Sequence, residues 1–249
     1  TFILQSHLFI RFFMQAVIIA AGRGMRLRPI TEKIPKCLVE IKGRPMLEHI
    51  LEKLSHAGIN EAHLVVGHKR EIIEDHFGPE FSGVRLNYFV QKEARGTAHA
   101  LSLVENYVNG KFLLTNSDVL TETLNYRILA QGEGTEGADA IIMARQVHDP
   151  WRYGVLKTEG PKVVDIVEKP LPGEEPGNLV NAGIYLFGKD FFQYVKKTPL
   201  SIRGEYEIID PIRSYIAARK NVEYREIEGT CIDIEHMHDL EAADDMDEE

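Results

Sequence analysis

The sequence has few cysteines and no surplus of positive charge. Its 249 residues include only two cysteines, Cys37 and Cys231, and their spacing matches neither a metal site nor a disulfide framework. This scarcity predicts a reducing, cytoplasmic compartment. The formal net charge of −9, from 29 basic and 38 acidic residues, excludes the broad basic surface typical of non-specific nucleic-acid binding. An acidic total still allows a small polyanionic ligand, provided that basic side chains cluster locally.

An uninterrupted hydrophobic run long enough for a membrane span is also missing. Residues 1–21 are apolar, but polar residues break the run and no basic segment precedes it. Met14 begins a stretch with the pattern of a buried strand followed by a glycine-rich turn. We therefore expect residues 1–13 to be an extension outside the core, residues 14–243 to form a single domain, and residues 244–249 to form a solvated acidic tail. No membrane partner is expected.

The spacing of apolar residues predicts a doubly wound α/β fold. Apolar runs predict buried strands at 15–21, 61–66 and 112–114, and an alternating pattern predicts a strand at 85–91. Helical spacing predicts helices from 45 to 58, 69 to 77 and 97 to 107. This alternation favours a mostly parallel sheet with right-handed crossovers. Later strands are predicted at 138–145, 153–157, 162–168, 182–187, 222–227 and 231–234, with a helix at 206–218. We expect them to extend the same sheet as a mixed sheet and to build a smaller lobe beside it.

A basic, glycine-containing loop follows the first strand. It reads Gly-Arg-Gly-Met-Arg-Leu-Arg-Pro over residues 22–29, and Lys36 follows shortly after. Ligands bind at the carboxyl ends of parallel strands, and glycines there let backbone N–H groups approach phosphate oxygens. Four cations in one short stretch suit a triphosphate. Leu27 stands where a dinucleotide fingerprint has its third glycine, which argues against a nicotinamide-dependent oxidoreductase.

Two polar motifs follow later predicted strands. The amide of Gln91 can donate and accept hydrogen bonds at once, which suits the O4 and N3–H edge of uracil or thymine, and Gly96 lets backbone approach a base. Asp118 ends the segment Thr-Asn-Ser-Asp after a short buried strand. Magnesium takes one or two carboxylates together with phosphate and water oxygens, so Asp118 is a candidate metal ligand.

The stretch AVIIAAGRGMRLRPITEKIPKCLVEIKGRPM resembles the signature of the sugar-1-phosphate nucleotidylyltransferases, and the similarity runs from Met14 to about Ala243. The resemblance implies a Rossmann-like fold with a sugar-binding lobe. It also implies a Mg²⁺-dependent attack of a sugar 1-phosphate on the α-phosphate of an NTP, which releases pyrophosphate. UTP or dTTP is the expected nucleotide and glucose 1-phosphate the default sugar. Members of the family are commonly oligomers, so a homo-oligomer is expected.

The resemblance also implies roles for individual residues. Arg26, Lys36 and Asp118 are the implied catalytic residues, and Asp118 and Asp233 are the implied metal ligands. The implied nucleotide-binding residues are Ala21, Gly22, Gly24, Gln91, Gly96 and Thr97. The implied sugar-phosphate-binding residues are Tyr153, Gly154, Glu168, Lys169 and Asn181. No chemistry is assigned to residues 205–210, because acids in the first turn of a helix explain them.

Two departures from the family pattern and two alternatives remain. Cys37 stands where the family usually has proline, and Cys231 where it often has tryptophan. One alternative keeps the reaction but changes the substrates, giving a cytidylyl- or guanylyltransferase that acts on another phosphate. The other is a non-catalytic regulatory relative, against which the retained charged residues argue.

Overall fold

The computed structural model of the protein describes residues 14–244; the expected extension at 1–13 lies outside them. In chain order, the elements of the first half are β1 (Gln15–Ala20), β2 (Glu40–Ile41), β3 (Arg44–Pro45), α1 (Met46–His56), β4 (Glu61–Val66), α2 (Arg70–Phe77), β5 (Glu80–Phe81), β6 (Val84–Val90), α3 (Thr97–Ser102) and β7 (Phe112–Asn116). Those of the second half are β8 (Val119–Thr121), α4 (Thr123–Gln131), β9 (Ala140–Gln146), β10 (Gly154–Glu159), β11 (Lys162–Glu168), β12 (Leu179–Phe187), α5 (Phe192–Val195), α6 (Ile209–Ala217), β13 (Val222–Glu226), β14 (Cys231–Asp233) and α7 (Met237–Asp244).

A ten-stranded mixed sheet runs through the molecule in the order β10-β11-β13-β9-β12-β7-β1-β4-β6-β5. Strands β7, β1, β4 and β6 are parallel neighbours and form the predicted doubly wound part. Strands β9 to β13 extend the same sheet, as expected, mainly through antiparallel pairs such as β12 with β7 and β11 with β10. The strand predicted at 231–234 does not join them, because β14 pairs with β8 in a separate two-stranded sheet. The α/β fold class is therefore confirmed.

Hydrophobic side chains pack on both faces of this sheet. Along β1, Ile18 belongs to the cluster that packs against α1, and its neighbour Val17 belongs to the cluster on the opposite face. Both side chains are fully buried, which explains why the strand has a continuous apolar run instead of an alternating one. Burying a side chain of this size contributes about 1.5–3 kcal/mol.

The amphipathic pattern of α1 is borne out residue by residue. Its five apolar positions, Met46, Leu47, Ile50, Leu51 and Leu54, are all fully buried, and Gly58 adopts a positive φ of 89° just after the helix end. No helix within residues 14–244 is long and apolar enough to cross a membrane.

Several predicted bounds differ from the structure; most strands shift by one to three residues, as β12 does by beginning at Leu179 instead of 182. Helix α3 ends at Ser102, and the rest of the segment predicted as helix forms turns up to residue 107. Helix α6 begins at Ile209, three residues later than predicted. At the other end of the chain, Asp244 is the last residue of α7, and its Oδ1 accepts a hydrogen bond from the Lys42 backbone N–H at 2.7 Å. The rest of the solvated acidic tail expected at 244–249 lies outside the described residues.

Candidate functional site

The order of the strands places one crevice at the carboxyl edge of the sheet. Strand β1 lies between β4 and β7, so the chain winds away from β1 in both directions. The loops after β1 and β7 face each other at this edge, where ligands bind in open α/β sheets. The backbone N–H of Ser117 donates to the Ile19 carbonyl at 3.1 Å, which fastens the β7 turn to the end of β1.

Gly24 shapes the basic loop after β1. It adopts a left-handed conformation with φ 60°, and a Cβ at this position would lie 2.8 Å from Thr31 Cγ2 and 3.0 Å from Lys36 Cβ. The Thr31 hydroxyl donates to the Gly24 carbonyl at 2.7 Å. The glycine thus lets the loop pack onto the stem of Lys36. Gly22 has open space around it, so packing does not require a glycine there.

Lys36, Asp118 and Asp233 form a partly buried charged cluster beside the carboxyl ends of β1 and β7. Lys36 Nζ donates to Asp118 Oδ2 in a short ion pair. Strand β14 pairs with β8 so that Asp233 lies opposite Val119, the residue after Asp118. The Ile234 backbone N–H donates to the Asp118 carbonyl at 2.9 Å and closes this contact. Residues 115 positions apart in the chain are therefore held side by side.

The electrostatics of this cluster point to an excess of negative charge. Burial, and then repulsion from Asp118, raises the pKa of Asp233 to about 7. Burial lowers the pKa of Lys36, but Asp118 and then Asp233 outweigh it, so that the net pKa is raised. Two crowded carboxylates with one lysine fit a divalent cation that completes its shell with phosphate and water oxygens. Within residues 14–244, no group of three or more histidine, cysteine or acidic side chains could hold a metal unaided.

Arg26 lies at the rim of the cluster. Its Nη1 is 2.5 Å from Glu235 Oε1, on the segment that follows Asp233, and its side chain is half exposed. Arg23 and Arg28 line a neighbouring hollow of about 340 Å³ with His68. Arg23 and Arg28 therefore face this hollow, and Arg26 is the arginine of the loop that is held next to Asp118 and Asp233.

A first cleft opens on the β4 and β6 side of the cluster; we call it the Gln91 cleft. It has a volume of about 400 Å³. Its lining includes Ala21, Arg23, Gly67, Val90, Gln91 and Lys92. Gln91 Nε2 contacts two acceptors, the Gly96 carbonyl at 3.0 Å and His99 Nδ1 at 2.9 Å. The NH₂ end of the amide thus has its partners within the protein, and no donor among the described residues contacts its Oε1. The sequence analysis expected the Gln91 amide both to donate to a base and to accept from it; with its NH₂ group engaged, we expect it only to accept.

A second cleft opens on the β12 side of the cluster; we call it the Glu168 cleft. It has a volume of about 280 Å³. All five residues predicted for sugar-phosphate binding line it: Tyr153, Gly154, Glu168, Lys169 and Asn181. Asp233 lines the same cleft. Strand order puts β7, which Asp118 follows, between the two clefts. The Glu168 cleft reaches the charged cluster at Asp233, and the Gln91 cleft lies beside the loop after β1 at Ala21 and Arg23.

Gly154 makes room for the carboxylate of Glu168. The two residues pair across β10 and β11, and a Cβ on Gly154 would lie 3.0 Å from Glu168 Oε2. Burial raises the pKa of Glu168, although Lys169 and Arg203 counteract it. A partly desolvated carboxyl group among hydrogen-bond donors can bind the hydroxyl groups of a small polar ligand.

Two predicted residues have partners within the protein. Asn181 Nδ2 donates to the Tyr185 hydroxyl at 2.6 Å, and Asn181 Oδ1 accepts from the Gly183 backbone N–H at 2.9 Å. Thr97, predicted to contact the base, lines the Glu168 cleft instead of the Gln91 cleft, and its Oγ1 accepts from the Ile208 backbone N–H at 2.9 Å. Asn181 is thus rigidly oriented, and Thr97 joins α3 to the segment before α6.

The sequence analysis missed Arg203. Its guanidinium binds the carboxylates of Glu207 and, at 3.2 Å, Glu168, and it lines the Glu168 cleft. Residues 205–210 were expected to have no chemistry, yet Glu205 and Glu207 line this cleft too. A single arginine in an irregular loop has no spacing that reveals a role, so only the fold identifies it.

Neither cysteine has the character of a nucleophile. Burial raises the pKa of Cys37 to about 12 and that of Cys231 to about 11. Cys37 is fully buried beside Lys36, and the thiol takes part in packing.

Known proteins resemble this chain over nearly its whole length. The family profile described as nucleotidyl transferase matches residues 15–248. The UTP–glucose-1-phosphate uridylyltransferase AglF of Haloferax volcanii is 36% identical over 234 residues, which cover 93% of this chain and 95% of that protein. The bifunctional protein GlmU of Methanococcus maripaludis is 33% identical over 231 residues, and this chain spans about half of its length.

A solved structure shows the same architecture. A putative glucose-1-phosphate thymidylyltransferase from Bacillus anthracis superposes with a TM-score of 0.84 at 29% identity, covering 95% of this chain and 97% of the other. The fold and the family resemblance expected from the sequence are both confirmed.

Proposed function

Because the chain belongs to the nucleotidyl transferase family, we propose that it couples UTP or dTTP to a sugar 1-phosphate, with glucose 1-phosphate as the first candidate. The observation that carries this proposal is the arrangement of two clefts on either side of the Lys36–Asp118–Asp233 cluster. The activity named for the relative AglF supports the choice of UTP and glucose 1-phosphate. The products are an NDP-sugar and pyrophosphate.

The sugar phosphate itself is the nucleophile. A phosphate monoester has a second pKa of about 6, so its oxygen is anionic at neutral pH and needs no general base. What the protein supplies is alignment of two anions that repel each other. Lys169 and Arg203 bind the sugar phosphate in the Glu168 cleft, and Glu168 and Asn181 bind the sugar hydroxyls.

Lys36 and Arg26 stabilise the triphosphate. Lys36 is held at the cluster by Asp118, and Arg26 by Glu235, so both cations are oriented before the nucleotide binds. As pyrophosphate leaves, negative charge develops on its oxygens, and fixed cations in a partly buried site stabilise it. Removing one such group costs about 3–4 kcal/mol in comparable electrostatic sites.

Asp118 and Asp233 are the residues that would hold a magnesium ion. Burial, and then the repulsion between the two carboxylates, raises the pKa of Asp233, and a divalent cation would relieve this repulsion. When bound, magnesium supplies positive charge that polarises the phosphate oxygens. The two free thiols, Cys37 and Cys231, fit the reducing cytoplasmic setting that we propose for the enzyme.

A grid of nucleotides against sugar phosphates tests the proposal. The protein is incubated with Mg²⁺ and each pair from UTP, dTTP, CTP, GTP and ATP with the 1-phosphates of glucose, N-acetylglucosamine and mannose, and pyrophosphate is measured. We expect the fastest release with UTP or dTTP and glucose 1-phosphate. Release confined to CTP or GTP assigns the cytidylyl- or guanylyltransferase alternative, and no release with any pair assigns a regulatory relative.

A further inference from the structure

Gln91 is held firmly at the end of β6. Its side chain is buried, and its backbone N–H donates to the Val66 carbonyl at 2.8 Å, which continues the pairing of β6 with β4. Its amide therefore has little freedom to move. Its hydrogen-bond partners decide whether the amide oxygen or the NH₂ group faces the Gln91 cleft.

The partners determine which way the amide points. The Gly96 carbonyl can only accept hydrogen bonds, so the group 3.0 Å from it is the NH₂ and not the oxygen. A flipped amide would bring two acceptor oxygens together. His99 Nδ1 contacts the same NH₂ at 2.9 Å and must therefore accept its second hydrogen. This requires a neutral His99 whose own proton is on Nε2.

The surroundings of His99 favour that neutral form. Burial, and then the nearby positive charge of Arg95, lowers the pKa of His99, while Glu93 acts in the opposite direction. The Tyr206 ring stacks on the imidazole, with the ring centroids 6.4 Å apart. The neutral imidazole that these surroundings favour is the form in which Nδ1 can accept, as its contact with Gln91 requires.

Because both hydrogens of Nε2 are engaged, the Gln91 amide can act toward the cleft only as a hydrogen-bond acceptor, through Oε1. Within residues 14–244, no donor contacts Gln91 Oε1 in a hydrogen bond. Uracil and thymine carry an N–H at N3 that can donate to it, whereas cytosine has an unprotonated N3 that also accepts. Two facing acceptors cost binding free energy, because neither is satisfied.

We propose that His99 is a positioning residue that holds the Gln91 amide with Oε1 toward the cleft, and thereby selects UTP and dTTP over CTP. This inference rests on the proposed function, since it assumes that the Gln91 cleft receives the nucleotide base. His99 itself acts through Gln91. Without its acceptor, the amide loses one of the two contacts that fix its orientation.

Two substitutions at His99 separate positioning from packing. His99→Asn keeps an acceptor oxygen near the place of Nδ1 but cannot be protonated, whereas His99→Leu keeps bulk and removes the acceptor. His56→Leu, at the exposed end of α1, controls for the loss of a histidine elsewhere. For each protein, kcat and KM are measured with UTP and CTP, and calorimetry gives the dissociation constants of both nucleotides.

We expect His99→Leu to lower the UTP-to-CTP ratio of kcat/KM about tenfold, mainly through KM for UTP, as the loss of one oriented hydrogen bond implies. His99→Asn and His56→Leu should keep the wild-type ratio. As the pH falls below 6.5, KM for UTP should rise in the wild type more than in His99→Asn, which corrects for titration of the nucleotide. An unchanged ratio in His99→Leu, or an equal loss in His99→Leu and His99→Asn, overturns the inference.

Binding keeps this test separate from the test of the proposed function. If the wild type releases no pyrophosphate, the proposed function fails, but calorimetry still reports whether UTP binds more tightly than CTP and whether His99→Leu removes the difference. A wild type that binds the two nucleotides equally well overturns the inference on His99 alone.

Discussion

Replacing Gly96 with alanine should damage the loop that carries Gln91. Gly96 has φ 98° and ψ 172°, a region that residues with a Cβ rarely adopt. A Cβ there would lie 2.4 Å from the Tyr206 carbonyl oxygen and 2.8 Å from the Tyr206 backbone nitrogen. These are backbone atoms, so no side-chain rotation relieves the contact.

The loss of stability in Gly96→Ala has two parts, strain in the backbone at residue 96 and displacement of the segment at Tyr206. The backbone strain costs about 1–3 kcal/mol. The segment at Tyr206 must also move away, and two hydrogen bonds of 2.8 Å hold it in place, Ala98 N–H to the Tyr206 carbonyl and Tyr206 N–H to the Arg95 carbonyl. Weakening both costs about 1 kcal/mol each. We expect the free energy of unfolding to fall by about 3–5 kcal/mol.

Urea unfolding and nucleotide kinetics measure this loss against a matched control. Gly110 also has a positive φ, 79°, but a Cβ there meets nothing within 4 Å. Gly110→Ala should therefore cost only about 1–2 kcal/mol from the backbone alone. Gly96→Ala should in addition raise KM for UTP, because the loop ends next to Gln91. If the two variants have equal stability and wild-type KM, the close backbone approach at Gly96 does not matter as argued.

Three further variants test other parts of the molecule. Lys36→Met should lower kcat at least about a hundredfold while the thermal unfolding midpoint stays close to that of the wild type, and near-normal turnover would remove Lys36 from its role. Arg203→Leu should raise KM for glucose 1-phosphate with little change in KM for UTP, whereas Arg213→Leu, which breaks only the exposed pair with Asp165, should change neither. Burial would raise the pKa of Asp190, but hydrogen bonds from Lys220 and Tyr215 hold this pKa below its usual 3.8. The wild type should therefore lose stability as the pH falls below 3.8. In urea unfolding across that pH range, Asp190→Asn should show a smaller loss.

Local patterns predicted most strands of the large sheet well. The predicted ranges 61–66 and 162–168 coincide with β4 and β11, because apolar runs bounded by polar turns are strong signals. The helix predicted to reach residue 107 ends at Ser102, although Val104 and Val108 are fully buried. The spacing of apolar residues shows which side chains are buried, not which secondary structure buries them. In this segment, turns bury Val104 and Val108 just as a helix would.

What escaped prediction depends on contacts between distant residues. Helix α4 was not predicted, and its buried Asn125 donates to the Glu228 carbonyl at 2.9 Å and accepts from the Glu228 N–H at 2.9 Å. A fully buried asparagine looks like a surface or turn residue in the sequence, because its partner lies 103 positions away. Arg203 was missed in part for the same reason, since Glu168, one of its two acidic partners, lies 35 positions away in the chain.

The fate of the α-phosphate tests the central claim most directly. The protein is given Mg²⁺, glucose 1-phosphate and UTP radiolabelled at the α-phosphate, and the products are separated by chromatography; Asp118→Asn serves as the impaired counterpart. The account predicts that the label moves into UDP-glucose with unlabelled pyrophosphate as the second product, and that Asp118→Asn slows this transfer at least about a hundredfold. Label that stays in UTP, appears as UMP, or moves equally fast in Asp118→Asn would contradict it.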